Sequence, residues 1–190
     1  MSNDVLENDG VNMAANTMDG DNETILVAYG SNLSPGALSA SEALDRLVGE
    51  LKRRGIFINK ISRLWRSQAW PDPNDPPYVN AVLDVKGSWQ PVELLEILHE
   101  VERASGRVRD GRLNMPRVLD LDLIAFGDRI INNGDGLILP HPRAHERGFV
   151  MGPLSDILPG WVHPVLGKTA AELWAQVSVG ADAHPLPDAS

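Results

Sequence analysis

Residues 116–127 read PRVLDLDLIAFG, an apolar run that carries two aspartates, Asp120 and Asp122. Side chains alternate between the two faces of a strand. Val118, Asp120, Asp122 and Ile124 therefore share one face, and Leu119, Leu121, Leu123 and Ala125 share the other. The leucine face can enter a core. The aspartate face sets two like charges side by side, which is costly to desolvate without a cation between them. Mg²⁺ suits that arrangement, because it takes carboxylate oxygens and keeps positions for phosphate and water. A solvated acidic face is the other reading, and D-x-D alone does not separate the two.

Working outward, this strand closes a β-α-β-β-α-β order. TILVAYG (24–30) reads as a short buried strand. Leu44, Leu47, Val48 and Leu51 recur at helical spacing, and Gly55 stands where a helix C-terminus favours a left-handed residue. Residues 56–66 form the next strand. AWPDPNDPP (69–77) has four prolines in nine residues and reads as a stiff loop. YVNAVLDVK (78–86) is again a strand. Pro91 opens a second helix, with Leu94, Leu95, Leu98 and Val101 on its buried face and Gly106 at its end. The whole is the split βαβ, ferredoxin-like unit. A hairpin around NNGDG (132–136) and helices near 148–157 and 169–178 follow.

With 190 residues, 43% of them apolar, the chain can bury one good core, so one domain is expected over residues 24–179. The net charge of −9 belongs to the ends. Residues 1–23 hold six acids and no Lys or Arg, and residues 180–190 hold two more acids, which leaves −1 for the middle. Both tails lack periodicity and are expected to be disordered. That balance argues against a nucleic-acid surface, which needs a positive face. No apolar run approaches a membrane span or a signal peptide, and the cytoplasm is the expected location. The absence of cysteine excludes disulfides, thiolate catalysis and Cys-based zinc sites.

Arginines tip the reading of the aspartates toward chemistry. GRVRDGRLNMPR (106–117) places Arg107, Arg109, Arg112 and Arg117 just before them, and Arg103 ends the preceding helix. Guanidinium groups clamp phosphate oxygens, so a polyphosphate held between Mg²⁺ and arginines is expected. Arg103 and Arg112 read instead as local neutralising charges. HPRAHERGF (141–149) supplies His141, Arg143, His145, Arg147 and Phe149 without zinc spacing. His99, His145, His163 and His184 read, taken singly, as ordinary surface histidines. Tyr78 and Asn80 share a strand face beside the proline loop. They suit a flat polar ring, on which an aromatic stacks and to which an amide both donates and accepts, although a strand Tyr taken alone reads as core.

Taken together, AYGSNL (28–33), PPYVNAV (76–82), GRVR (106–109), PRVLDLDLIAFG (116–127) and LPHPRAHERGFV (139–150) resemble the 6-hydroxymethyl-7,8-dihydropterin pyrophosphokinase family of folate biosynthesis. The resemblance runs from about residue 24 to 165. It implies a ferredoxin-like α/β/α sandwich with an antiparallel or mixed central sheet. It also implies transfer of the β,γ-pyrophosphoryl group of ATP to the pterin hydroxymethyl group, with release of AMP.

Residue by residue, Asp120 and Asp122 match the pair that holds two Mg²⁺ ions, and Arg107 and Arg117 match two catalytic arginines. His99, Glu102, Arg109, His141 and Arg147 match the ATP side. Ser67, Gln68, Ala69, Trp70, Tyr78, Asn80 and Phe149 match the pterin side, and the backbone at Gly30 and Ser31 matches the segment beside it. The chain departs from the family pattern in several places. Leu113-Asn114-Met115-Pro116-Arg117 replaces the frequent R-W-G-P-R, so Asn114 stands where a Trp is common. Pro142 follows His141 in place of an aromatic, Ile138 replaces a polar residue, and His99 replaces a Gln. ATP and the pterin are the expected partners, with a monomer expected and a dimer as the alternative. Two other readings stay open: a paralogue that binds without efficient transfer, and an Mg²⁺-dependent phosphohydrolase.

Overall fold

The computed structural model describes residues 23–32, 39–69, 74–105, 119–132, 134 and 136–187. Six strands form one sheet: β1 (Ile25–Ser31), β2 (Phe57–Ile61), β3 (Trp65–Ser67), β4 (Tyr78–Lys86), β5 (Asp120–Phe126) and β8 (His184–Pro185). The order is β5-β1-β4-β3-β8, with β2 also on β4, and every pairing is antiparallel. Helices α1 (Ala40–Arg53) and α2 (Pro91–Ala104) lie on one face, and α3 (Gly148–Ile157) and α4 (Ala170–Trp174) lie on the other. Strands β6 (Ile131–Asn132) and β7 (Ile138–Leu139) make a separate hairpin. The ferredoxin-like sandwich expected from the sequence is therefore present, with a purely antiparallel sheet.

The apolar periods explain the layers. Leu44, Leu47 and Leu51 of α1 and Leu94, Leu98 and Val101 of α2 pack on Val27, Tyr29, Leu83, Leu121 and Leu123 of the sheet. On the opposite face Val150, Met151 and Leu154 of α3 cover Leu26, Ala28, Val82 and Ile124. Ser39 and Glu42 close a capping box that starts α1, and Gly55 has φ +82 just past its end.

Four expectations are corrected. The strand expected over 56–66 is broken at Ser62, whose hydroxyl takes the Val82 N–H at 3.0 Å and splits β2 from β3. Ala125 lies with Ile124 on the α3 side, not with the leucines, because the β1–β5 register shifts between Leu26 and Val27. The helix expected over 169–178 spans only Ala170–Trp174. Residues 180–187, expected to be disordered, instead carry β8 against β3. The other tail, residues 1–22, lies outside the described residues; Glu23 is held by Arg129 at 3.2 Å and by Lys86, whose Nζ donates to its carbonyl at 2.7 Å. Among the described residues no helix is long and apolar enough to cross a membrane.

His163, read from the sequence as a surface histidine, is instead buried, 5% exposed, and its Nδ1 accepts the amides of Val165 at 3.2 Å and Leu166 at 3.3 Å. Burial, then the nearby His145, hold its pKa below the ordinary imidazole value of 6.5. The unfolded chain therefore binds the proton more readily, so this contribution is complete above about pH 6.5 and is lost as pH falls. The melting temperature should decline from pH 6.5 to 5, and His163→Asn, which keeps an acceptor without titrating, should flatten that decline. An unchanged slope in the variant would assign the pH dependence to other groups.

Candidate active site

Asp120 and Asp122 face the α3 side of β5, each opposite a small residue of β1: Asp120 is paired with Gly30, and Asp122 with Ala28. Gly30 is also paired with Asn80 of β4, so Asp120, Gly30 and Asn80 form one rung across three strands. A Cβ on Gly30 would stand 3.7 Å from Asn80 Oδ1 and 3.9 Å from Asp120 Cβ. Glycine there leaves open the space between the amide and the acid.

Asn80 is only 4% exposed, and its Nδ2 donates to Ser67 Oγ at 3.0 Å. This bond fixes the amide's rotamer and orients its oxygen. Ser67 is paired with Tyr78, and Trp65 with Asn80, which places all four side chains on the α3 face. Trp65 forms the floor: it donates to Asp156 Oδ2 at 2.7 Å and meets Trp174 edge-on at 5.4 Å.

Arg147 caps the start of α3. Its guanidinium lies 3.7 Å from Asp122 Oδ2 and 5.6 Å from the centre of the Phe149 ring. His141 docks through its N–H to Ile124 O at 2.8 Å, and its Nδ1 accepts the Arg143 amide at 3.3 Å. Burial holds His141 below the ordinary imidazole range; Arg147 and Arg143 add to this, and Asp122 opposes it. The neutral ring with an occupied Nδ1 keeps its proton on Nε2, so it can donate to an anionic oxygen.

The sequence-derived candidates thus divide. Asp120, Asp122, Arg147, His141, Phe149, Asn80, Ser67 and Tyr78 gather at one end of the sheet on the α3 side. Gln68 and Ala69 follow directly from β3. Glu102 and His99 lie on α2, across the outer edge of β5. Glu102 is 1% exposed, and its Oε1 accepts the Leu121 N–H at 2.9 Å. One of its oxygens therefore closes the free edge of β5, a structural duty that the sequence does not reveal. Trp70, Arg107, Arg109 and Arg117 lie outside the described residues. Sequence reasoning missed Asp182, whose carboxylate takes the Gln68 N–H at 2.6 Å. Its proline-bearing tail gave no sign of that contact.

Asp120 and Asp122, beside Gly30 and Ala28, fit an Mg²⁺ that draws most of its ligands from phosphate and water. Among the described residues no cluster of three or more His, Asp or Glu could form an all-protein cage. A cavity of about 500 Å³ lined by Glu23, Thr24, Gly127, Asp128, Arg129, Trp161 and Val162 sits at the opposite end of β1 and β5 and contains none of the candidates. The convergent polar groups, not that cavity, form the candidate site.

The family model of 7,8-dihydro-6-hydroxymethylpterin-pyrophosphokinase (HPPK) matches residues 26–159. A 2-amino-4-hydroxy-6-hydroxymethyldihydropteridine pyrophosphokinase of Synechocystis sp. is 38% identical over 160 residues, covering 82% of this chain and 77% of that protein. The folic acid synthesis protein fol1 of Pneumocystis carinii is 36% identical over 166 residues, covering 87% of this chain and 22% of that longer protein. A crystal structure of wild-type HPPK-DHPS from Plasmodium falciparum shares the fold, with a TM-score of 0.59 at 13% identity over 80% of this chain and 44% of that one. The chain therefore spans less than half the length of two of these three proteins.

Proposed function

This chain belongs to the 7,8-dihydro-6-hydroxymethylpterin-pyrophosphokinase family, and on that footing we propose that it transfers pyrophosphate from ATP to 6-hydroxymethyl-7,8-dihydropterin, in folate synthesis, releasing AMP. The observation that carries this assignment is the rung of Asp120, Gly30 and Asn80, which sets a rigid amide beside an acid with open space between them. Asn80, held by Ser67, reads the polar edge of the pterin, and Tyr78 and Phe149 flank the ring. Ser67, Gln68, Ala69 and Trp70 border the same pocket.

On the nucleotide side, Asp120 and Asp122 hold Mg²⁺, which supplies charge neutralisation of the phosphates and polarisation of the transferred group. His141 donates from Nε2 to a phosphate oxygen. Arg147, already near Asp122, turns toward the nucleotide. His99, Glu102 and Arg109 complete the ATP side. Arg107 and Arg117 stabilise charge that develops on the transferring group and on the leaving oxygen. Among the described residues no side chain is placed as an obvious general base. The residues act mainly by holding the hydroxyl in line with the β-phosphorus and by meeting its charge.

The test is product analysis with and without the pterin. AMP should appear only when the pterin is added, together with a pterin diphosphate in equal amount. Release of AMP without pterin would make the chain a hydrolase, and binding of both ligands without AMP would make it a non-transferring paralogue.

A further inference from the structure

Residues 178–186 form a strap across the pterin side of the site. It is tied at its start to the segment that carries Arg147 and Phe149. The Ser178 and Val179 amides donate to Glu146 O at 3.1 and 3.0 Å, and the Gly148 amide donates to Val179 O at 2.7 Å. Gly180 then turns with φ +65, a conformation that disfavours any side chain. A Cβ there would meet Phe149 Cδ1 at 2.5 Å, and one on Gly148 would clash with the Gly180 carbonyl oxygen. The strap backbone is thus pressed against the Phe149 ring. Its far end crosses to β3. Asp182 Oδ2 accepts the Gln68 N–H at 2.6 Å, His184 and Pro185 pair with Arg66 and Trp65, and the Leu186 amide reaches Leu64 O at 2.7 Å.

We propose that this strap is a positioning element for the pterin. Asp182 sets the backbone at Gln68, and Gly180 sets the Phe149 ring, so one short segment fixes the two sides of the pocket relative to each other. The proposal rests on the reading that Gln68 and Phe149 border the pterin. Gln68 follows the last residue of β3, where the sheet no longer dictates backbone direction. A charge-assisted bond from a carboxylate selects one orientation of that peptide more firmly than water does. Asp182 itself touches no substrate, and its effect passes through Gln68.

Steady-state kinetics on Asp182→Ala, with each substrate varied in turn, test the proposal. The KM for the pterin should rise by about tenfold, the scale of one charge-assisted hydrogen bond. The KM for ATP and the turnover at saturating pterin should stay within about twofold of wild type, since no transition-state contact is lost. Asp182→Asn retains an uncharged acceptor and should fall between the two. Gly180→Ala should also raise the pterin KM, and melting curves on all variants identify any that fail to fold. A lowered melting temperature with an unmoved pterin KM, or equal rises for both substrates, would overturn the strap's role. Wild-type protein that turns over no pterin would instead overturn the functional reading beneath it.

Discussion

Asp120→Asn or Asp122→Asn should each lower pyrophosphoryl transfer by about 10³-fold, the equivalent of roughly 4 kcal/mol of transition-state stabilisation. Each change keeps the shape of the side chain and removes one negative charge. The two carboxylates face the same side of β5, opposite Gly30 and Ala28. If they exist to hold Mg²⁺, transfer collapses and excess Mg²⁺ restores only part of it. If they are a solvated acidic face, an amide there costs under about 0.5 kcal/mol and turnover survives. The fold of the apo protein supplies a second readout. Asp122 is 40% exposed and 3.7 Å from Arg147, so its neutralisation loses a partly exposed ion pair worth about 0–1 kcal/mol. Apo stability should therefore drop only slightly for Asp122→Asn, whereas activity falls steeply. Turnover measured against Mg²⁺ concentration, beside the apo melting temperature, separates the two accounts. Near-normal turnover in both variants at ordinary Mg²⁺ would remove the metal-site argument.

The aspartate pair is legible in the sequence because charge breaks an otherwise apolar alternation. The layers are legible for the same kind of reason: Leu44, Leu47 and Leu51, and Leu94, Leu98 and Val101, recur at the helical period and are all buried. What escapes the sequence is what period alone cannot encode. The bulge that turns Ala125 to the α3 side adds one residue to an unbroken apolar run, and its pattern is unchanged. Ser62 divides a strand through a single side-chain bond to the Val82 amide. Residues 178–186 are held mostly by backbone hydrogen bonds and a close glycine contact, neither of which composition reports. Glu102 reads in the sequence as a ligand on a helix; that it is among the most buried polar residues and also closes a strand edge is not legible there.

Arg107→Ala and Arg117→Ala should each lower turnover by about 10²-fold or more, with a smaller effect on ATP affinity. Arg117 stands three positions before Asp120 in the chain. Arg107 follows Ser105, just past the end of α2, by two positions. Charge that accumulates on the transferring group and on the AMP oxygen is greatest in the transition state. A guanidinium that meets that charge therefore appears in turnover more than in ground-state binding. Arg147 provides the contrast, because it already approaches Asp122 in the apo fold, and Arg147→Ala should act chiefly on ATP affinity. Lysine in place of Arg107 or Arg117 keeps the charge but loses the two-pronged fork, so it should restore only part of the rate. Full recovery by lysine would reduce the role to bulk charge. A loss of ATP affinity with normal turnover at saturation would move both arginines from the chemical step to nucleotide binding.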